Sequence, residues 1–212
     1  MAEHPIKWQE ELFEIEPHPY DTHIPQDART LVIGTFPSHQ KNADFKFFYG
    51  GNGNQFWPLL SVIYDRTLKK TKDDAAKRER MKLLDDFGIG ITDMLTDVYR
   101  YQERSGDEYI FPIKFNNILA ILDRYPDIDR LVFTSRQYII SALGLFRTFL
   151  LTEGIALTEL QRHRLNYLYG TWIFKDRTIK IRVPISPSKR VIKEKKIDFD
   201  ELVVMYKLCF KD

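Results

Sequence analysis

The chain has 212 residues, 43% hydrophobic and 29% charged, which is enough for one well-buried domain and asks for no second. Its 32 Lys and Arg nearly balance 30 Asp and Glu, leaving a formal charge of +2, so a broad basic footprint for nucleic acid is excluded and any basic surface has to be local. A single cysteine, Cys209, excludes an intrachain disulfide, and no stretch approaches the ~18 apolar residues of a membrane span, so a cytoplasmic protein without membrane contact is the expectation.

Residues 1–29 read as an N-terminal extension packed on a single domain that takes in the whole of 1–212. "TLVIG" (Thr30–Gly34) is the first of four short β-rich runs; the others are residues 88–94 ("GIGITDM"), 130–135 ("RLVFTS") and 178–186 ("TIKIRVPIS"). Helical spacing fills the intervals. Asn54 is placed to cap a helix through Phe56, Leu60 and Ile63, and Asp73 a second through Met81 and Leu84. "FPIKFNNILAILDRYP" puts Ile118, Ile121 and Leu122 on one face, "RQYIISALGLFRTFLL" follows the third run directly, and "FDELVVMYKLCF" supplies a last helix. "YGTWIFKDRTIKIRVPI" reads as a hairpin turning at Lys175, Asp176 and Arg177. The lysine-rich pieces "LKKTKDDAAKRERMK" and "RVIKEKKIDFDE" carry both signs of charge and read as solvated helix faces.

Strands alternating with helices predict an α/β fold, a three-layer α/β/α sandwich around a mainly parallel four-stranded sheet. Ligands of such sheets bind beyond the carboxyl ends of the strands. That directs attention to residues 34–39, Thr92 and Asp93, residues 134–136, and residues 186–190. A dinucleotide or P-loop cradle is excluded, because "GGNGN" does not follow a strand and no G-x-x-x-x-G-K-[ST] occurs. The five histidines, His4, His18, His23, His39 and His163, show no H-x-x-x-H spacing, and Cys209 has no partner cysteine, so neither a metal nor a cofactor is expected. What remains is a set of loops rich in hydroxyls, amides and rings, suited to phosphates and to a flat heterocycle. Ser188, Lys189 and Arg190 put two cations beside a hydroxyl, which suits a phosphodiester and equally an ordinary solvated turn.

Together these strand ends resemble the uracil-DNA glycosylase superfamily, over roughly residues 30–190 and in the same order. "GTFPSH" is similar to the family's first motif, a strand followed by G-x-[DN]-P-x, with the His of the "GQDPYH" form. "YGGNGNQFWPLL" resembles the aromatic, short loop and N-x-F-W of the mismatch-specific and hypoxanthine-type branches through Tyr49, Asn54, Phe56 and Trp57. "GIGITDMLTD" parallels the family's base-reading strand, with Asp93 where other members carry Asn and the hypoxanthine-type branch carries Asp. "VPISPSKR" resembles the second motif, with Ile185 and Ser186 both open as occupants of its His position.

The resemblance implies a DNA glycosylase that flips a deaminated base, uracil or hypoxanthine, out of the stack and hydrolyses its N-glycosidic bond. Its partner is DNA containing a damaged base, and the protein is expected to act as a monomer. Tyr49, Asp93 and Phe36 would contact the base, and Thr35, Ser38, Ser135, Ser188, Lys189 and Arg190 the DNA backbone. The departure is at Phe36, which stands where the family has a water-activating Asp or Asn and can neither accept a proton nor orient water. Asn54, His39 and Ser186 are the catalytic candidates that remain, with Asp44 behind them, and Asn54 reads equally as a plain N-cap. Phe36 also leaves open a catalytically inactive, nucleic-acid-binding member of the same fold. An enzyme of free nucleosides or nucleotides is a further alternative, distinguished by the absence of salt-dependent duplex binding.

Overall fold

A computed structural model describes residues 15–39, 43–102, 104, 106–137 and 139–211. Residues 1–14 of the N-terminal extension, with His4, and Tyr138 in the run after the third predicted strand lie outside the described residues. In chain order the elements are β1 (Ile15–Pro17), β2 (Thr30–Gly34), α1 (Phe56–Ile63), α2 (Asp73–Asp86), β3 (Ile89–Asp93), β4 (Leu95–Arg100), β5 (Ile110–Phe115), α3 (Ile118–Arg124), β6 (Arg130–Phe133), α4 (Ala142–Thr152), β7 (Gln161–Arg162), β8 (Leu168–Phe174), β9 (Arg177–Val183), α5 (Lys189–Lys195) and α6 (Phe199–Lys211).

The main sheet has the order β3-β2-β6-β9-β8-β7. Its first four strands are mutually parallel, β2 lying between β3 and β6, and β9 following β6. β8 then runs back antiparallel beside β9, with Lys175 at φ 53° in the turn, and β7 closes the edge. The sheet is therefore six-stranded and mixed, not the four-stranded, mainly parallel sheet predicted. The expected hairpin adds β8 as a fifth strand, antiparallel to β9, and β7 adds a sixth by pairing antiparallel with β8.

β2 is buried along its whole length, apolar but for Thr30, because it is covered on both faces. Successive side chains point to opposite faces, so Leu31 and Ile33 join one core and Val32 the other. The first core contains residues of α3 and α4, and the second those of α1, α2 and α6. Helices thus lie on both faces of the sheet.

A second, antiparallel sheet, β1-β4-β5, branches off where β3 ends. Only Met94 separates β3 from β4, so the chain turns from one sheet into the other directly past Asp93. β1 pairs with β4 and brings residues 15–17 of the extension onto the domain. β5 occupies residues that the helical spacing of "FPIKFNNILAILDR" claims; its Pro112 is tolerated because β5 is an edge strand. The helix predicted there begins only at Ile118, after Asn117 accepts a hydrogen bond from Ala120 N. Two other helix starts also move. Lys72, not Asp73, precedes α2 as its cap residue. α4 begins only at Ala142, capped by Ser141.

Candidate functional site at the carboxyl end of the parallel strands

Three parallel strands end side by side, β3 at Asp93, β2 at Gly34 and β6 at Phe133, and the loops that continue them enclose a pocket of about 180 Å³. It is small beside the ~300–1,000 Å³ of a site for a drug-sized ligand, and several times the ~30 Å³ share of one water, which is the range of a single heterocycle. Gly34, Thr35, Phe36, Pro37 and Ser38 line it from β2, Asp93 from β3, and Thr134 and Ser135 from β6. Ser186 and Ser188 line it from the loop after β9, and Tyr49 and Asn54 from the loop before α1.

The aromatic loop is held over this edge by its own contacts. Trp57 Nε1–H donates to Phe48 O at 2.9 Å, tying the loop to the first turn of α1. Gly50 passes so close to Phe45 that a Cβ there would lie 2.2 Å from its carbonyl oxygen. Tyr49 adopts φ 53°, a left-handed conformation unfavourable for a ring-bearing residue. It is fixed there by Phe56, 4.2 Å away between ring centroids, and by a hydrogen bond between its hydroxyl and Thr134 Oγ1 at 2.8 Å. Burial and then the Asp93 charge push the Tyr49 phenol well above its ordinary range, so it stays protonated. Gln55 N–H donates to Pro187 O at 2.8 Å, linking this loop to the one after β9.

Two carboxylates face the pocket. Asp93 Oδ2 lies 3.0 Å from His18 Nε2, and both side chains are largely buried. His18 Nδ1 lies 2.7 Å from Tyr20 O and 3.1 Å from Tyr20 N, which fixes the ring so that Nε2 faces Asp93. The second carboxylate, Asp107, sits on a 3-10 turn, Asp107–Tyr109, between β4 and β5. Thr35 Oγ1–H donates to its Oδ2 at 3.0 Å, and Thr35 Oγ1 is also 2.9 Å from Ser135 Oγ. Burial pushes the Asp107 carboxyl up to about 6; the Thr35 hydrogen bond opposes this, and the charges of Asp93 and Glu108 add to it.

Phe36 is 7% exposed and fixed between the His18 ring, edge-on at 5.2 Å, and the Arg100 guanidinium at 5.5 Å. Arg100 holds the whole turn, donating to Pro37 O at 2.7 Å, Arg104 O at 2.8 Å and Glu16 Oε2 at 2.6 Å. Asn54 lines the pocket and accepts from Phe56 N at 2.9 Å, but it stands one residue before the cap of α1, which is Gln55 and not Asn54 as expected. Of the two residues open at the second motif, Ile185 is buried, its N–H 3.4 Å from Met205 Sδ and its carbonyl accepting from Tyr206 at 2.9 Å, while Ser186 faces the pocket. Ser188 caps α5 by accepting from Val191 N at 3.2 Å.

Four of the sequence candidates, His39, Asp44, Lys189 and Arg190, stand outside the pocket wall. His39 is half-buried in the loop after Ser38. Lys189 is exposed and lies along Gly53, where a Cβ would come 3.0 Å from its Cδ. Arg190 is exposed and pairs with Glu108 at 3.0 Å, bridging α5 to the turn that carries Asp107. Two residues of the pocket region, Asp107 and His18, have no counterpart among the sequence candidates. Among the described residues, no cluster of three or more His, Cys, Asp or Glu side chains is arranged to hold a metal ion, and no helix is long and apolar enough to cross a membrane.

The architecture and pocket define the protein at the level of class: an α/β chain with a small polar and aromatic cavity at the carboxyl edge of its parallel strands. No protein-family model matches the chain, and no curated protein matches it.

Proposed function

We propose that the protein is a DNA glycosylase of the uracil-DNA glycosylase type, excising a deaminated base, uracil or hypoxanthine, after flipping it into the pocket. The observation that carries this reading is the convergence on one cavity of four segments that resemble the superfamily's motifs: residues 34–38, Tyr49 and Asn54, Asp93, and Ser186 with Ser188. Parallel strands bring their carboxyl-end loops together in any such sheet, so the support lies in which residues those loops carry: the motif-like Gly34 to Ser38, Tyr49, Asn54, Asp93 and Ser186 stand in the order the family has them. Helices on both faces of the sheet support a three-layer sandwich in which β8 and β7 extend the parallel strands.

In this reading the base enters edge-first. Tyr49 offers a ring to stack on, and the Asp93 carboxylate, acceptor-only when ionised, reads an N–H on the base edge. Thr35, Ser38, Ser135 and the Ser186 to Arg190 segment hold the flanking phosphates. Removal of the base develops positive charge on the deoxyribose, and ionised carboxylates at the pocket wall stabilise that charge better than water does.

The test is single-turnover excision by the purified chain on labelled oligonucleotides containing uracil, hypoxanthine or xanthine, both single-stranded and paired. Alkali-labile cleavage at the lesion is the expected result. Retained lesion binding with no cleavage of any of them would move the protein to the recognition-only alternative, which the ring at Phe36 favours. Activity on free nucleosides without duplex binding would remove DNA from the picture.

A further inference from the structure

The glycosylase reading leaves a chemical gap. A water molecule attacking C1′ has to lose a proton, and Phe36, buried between His18 and Arg100, offers no acceptor. Asn54 is an amide and Ser186 a hydroxyl, neither of which takes up a proton at neutral pH. His39 stands outside the pocket wall.

We propose that Asp107 is the proton acceptor that activates water in this pocket, moved from the first motif to the turn between β4 and β5. The proposal rests on the glycosylase reading of the same site. Its geometry has three parts. Asp107 lines the pocket together with Asp93, Thr35 and Phe36, beside the base edge that Asp93 is assigned to read. Its Oδ2 is held by Thr35, the residue next to Phe36 in the first motif, so the base has moved by one hydrogen bond and not to a different site. Its turn is fixed on both sides, by Tyr101 N–H donating to Tyr109 O at 2.8 Å and by the Arg190 to Glu108 ion pair.

The hydroxyl chain behind Asp107 has a defined direction. Ala142 N–H donates to Ser135 Oγ at 2.8 Å. Ser135 Oγ–H then points to Thr35 Oγ1, because Thr35 donates its own proton to Asp107. Three donors in series therefore favour the ionised carboxylate from the protein side and leave Oδ1 to receive a proton from water. The other titratable groups around Asp107 are Asp93 on β3, itself bonded to His18, Glu108 on the same turn, Arg190 on α5 and the Tyr49 phenol. The two carboxylates raise its proton affinity and Arg190 lowers it, which with burial sets the group near neutrality, where a general base works best.

The step balances as a hydrolysis. The C1′–N bond breaks with its electron pair leaving on the base, and the base takes one proton from solvent. Water adds its oxygen to C1′ and gives one proton to Asp107, which returns it to solvent in the next cycle.

The experiment compares wild-type protein with Asp107→Asn and Asp107→Glu in single-turnover excision across pH 5 to 8, with lesion-oligonucleotide affinity measured alongside. Asp107→Asn is expected to lower the rate by ~10²–10⁴-fold with affinity unchanged, to flatten the rise of rate with pH, and to be partly restored in Asp107→Glu. Wild-type excision matched by Asp107→Asn, with the same pH profile, would overturn the assignment of Asp107 and leave the glycosylase reading intact. Absence of excision by the wild type on every lesion would overturn both, and lesion binding by the wild type separates that case from a protein that did not fold.

Discussion

The carboxylate of Asp93 occupies the space that a side chain at Gly34 would need: a Cβ there would stand 2.1 Å from Asp93 Oδ1 and 2.8 Å from the Tyr49 hydroxyl. The last residue of β2 is therefore a glycine for the sake of its neighbour on β3, which Gly34 pairs with in register. Gly34→Ala is expected to fold, because the strand's other residues and both cores are untouched. It should also push Asp93 off His18 and weaken lesion binding and excision at least tenfold, with a stability loss of about 1–3 kcal/mol from overpacking. Thermal melting and lesion affinity, measured together, check both halves. Wild-type affinity in Gly34→Ala would mean that Asp93 does not read the ligand.

Tyr49 offers the pocket a ring and a hydroxyl, and two substitutions separate them. Tyr49→Phe removes only the hydrogen bond to Thr134, about 1 kcal/mol of stability, and should leave lesion affinity within a factor of two or so. Tyr49→Ala removes the ring as well, and base-aromatic stacking is worth ~1–3 kcal/mol, so lesion affinity should fall roughly tenfold or more. Equal lesion affinity in the two variants would assign the ring to packing against Phe56 alone.

Lys189 and Arg190 are adjacent and cationic, yet their surroundings differ. Arg190 is partly neutralised by Glu108 at 3.0 Å and Glu194 at 3.9 Å, whereas Lys189 extends along Gly53. In duplex binding, Lys189→Ala should make the slope of log affinity against log salt shallower by about 0.9, one phosphate's worth, and Arg190→Ala by less. Arg190→Ala has a second expected effect: loss of a cation near Asp107 raises that carboxyl further, so the pH at which activity reaches half its maximum moves upward. A pH profile identical to wild type would separate Arg190 from the site.

The parts of the molecule legible in the sequence are those where local pattern and final environment agree. β2 is a nearly continuous apolar run because both of its faces are covered, and the β8-β9 hairpin announces itself through Lys175 and Asp176. The strand-end residues Thr35, Asp93, Ser135 and Ser186 are found by knowing where such sheets bind ligands. The second sheet is not legible, since Pro112 in β5 argues against a strand and Phe111 and Ile113 merge with the helical spacing that follows. Asp107 and His18 are invisible for a different reason. They reach the pocket through contacts spanning 72 and 75 residues, Thr35 to Asp107 and His18 to Asp93, and no periodicity encodes a pairing at that separation.

The raised carboxyl of Asp107 also makes a prediction that needs no substrate. Its folded value of about 6 lies above its ordinary 3.8, so between these values the folded chain holds a proton that the unfolded chain has lost. The stability this proton contributes is fully present below about pH 4 and is lost as pH rises through about 6. Asp107→Asn removes the ionisable group, and its amide still accepts from Thr35. The variant should match the wild type at low pH and become the more stable protein above pH 6. The full shift corresponds to about 3 kcal/mol, and because Asp107 is half-buried and not fully enclosed we expect on the order of 1–2 kcal/mol after solvent screening. Denaturant unfolding at pH 4 and pH 8 measures the difference. A variant more stable but less active is the pattern expected where a pocket keeps a carboxylate partly desolvated for its chemistry. A variant destabilised equally at both pH values would instead make Asp107 a structural acceptor for Thr35.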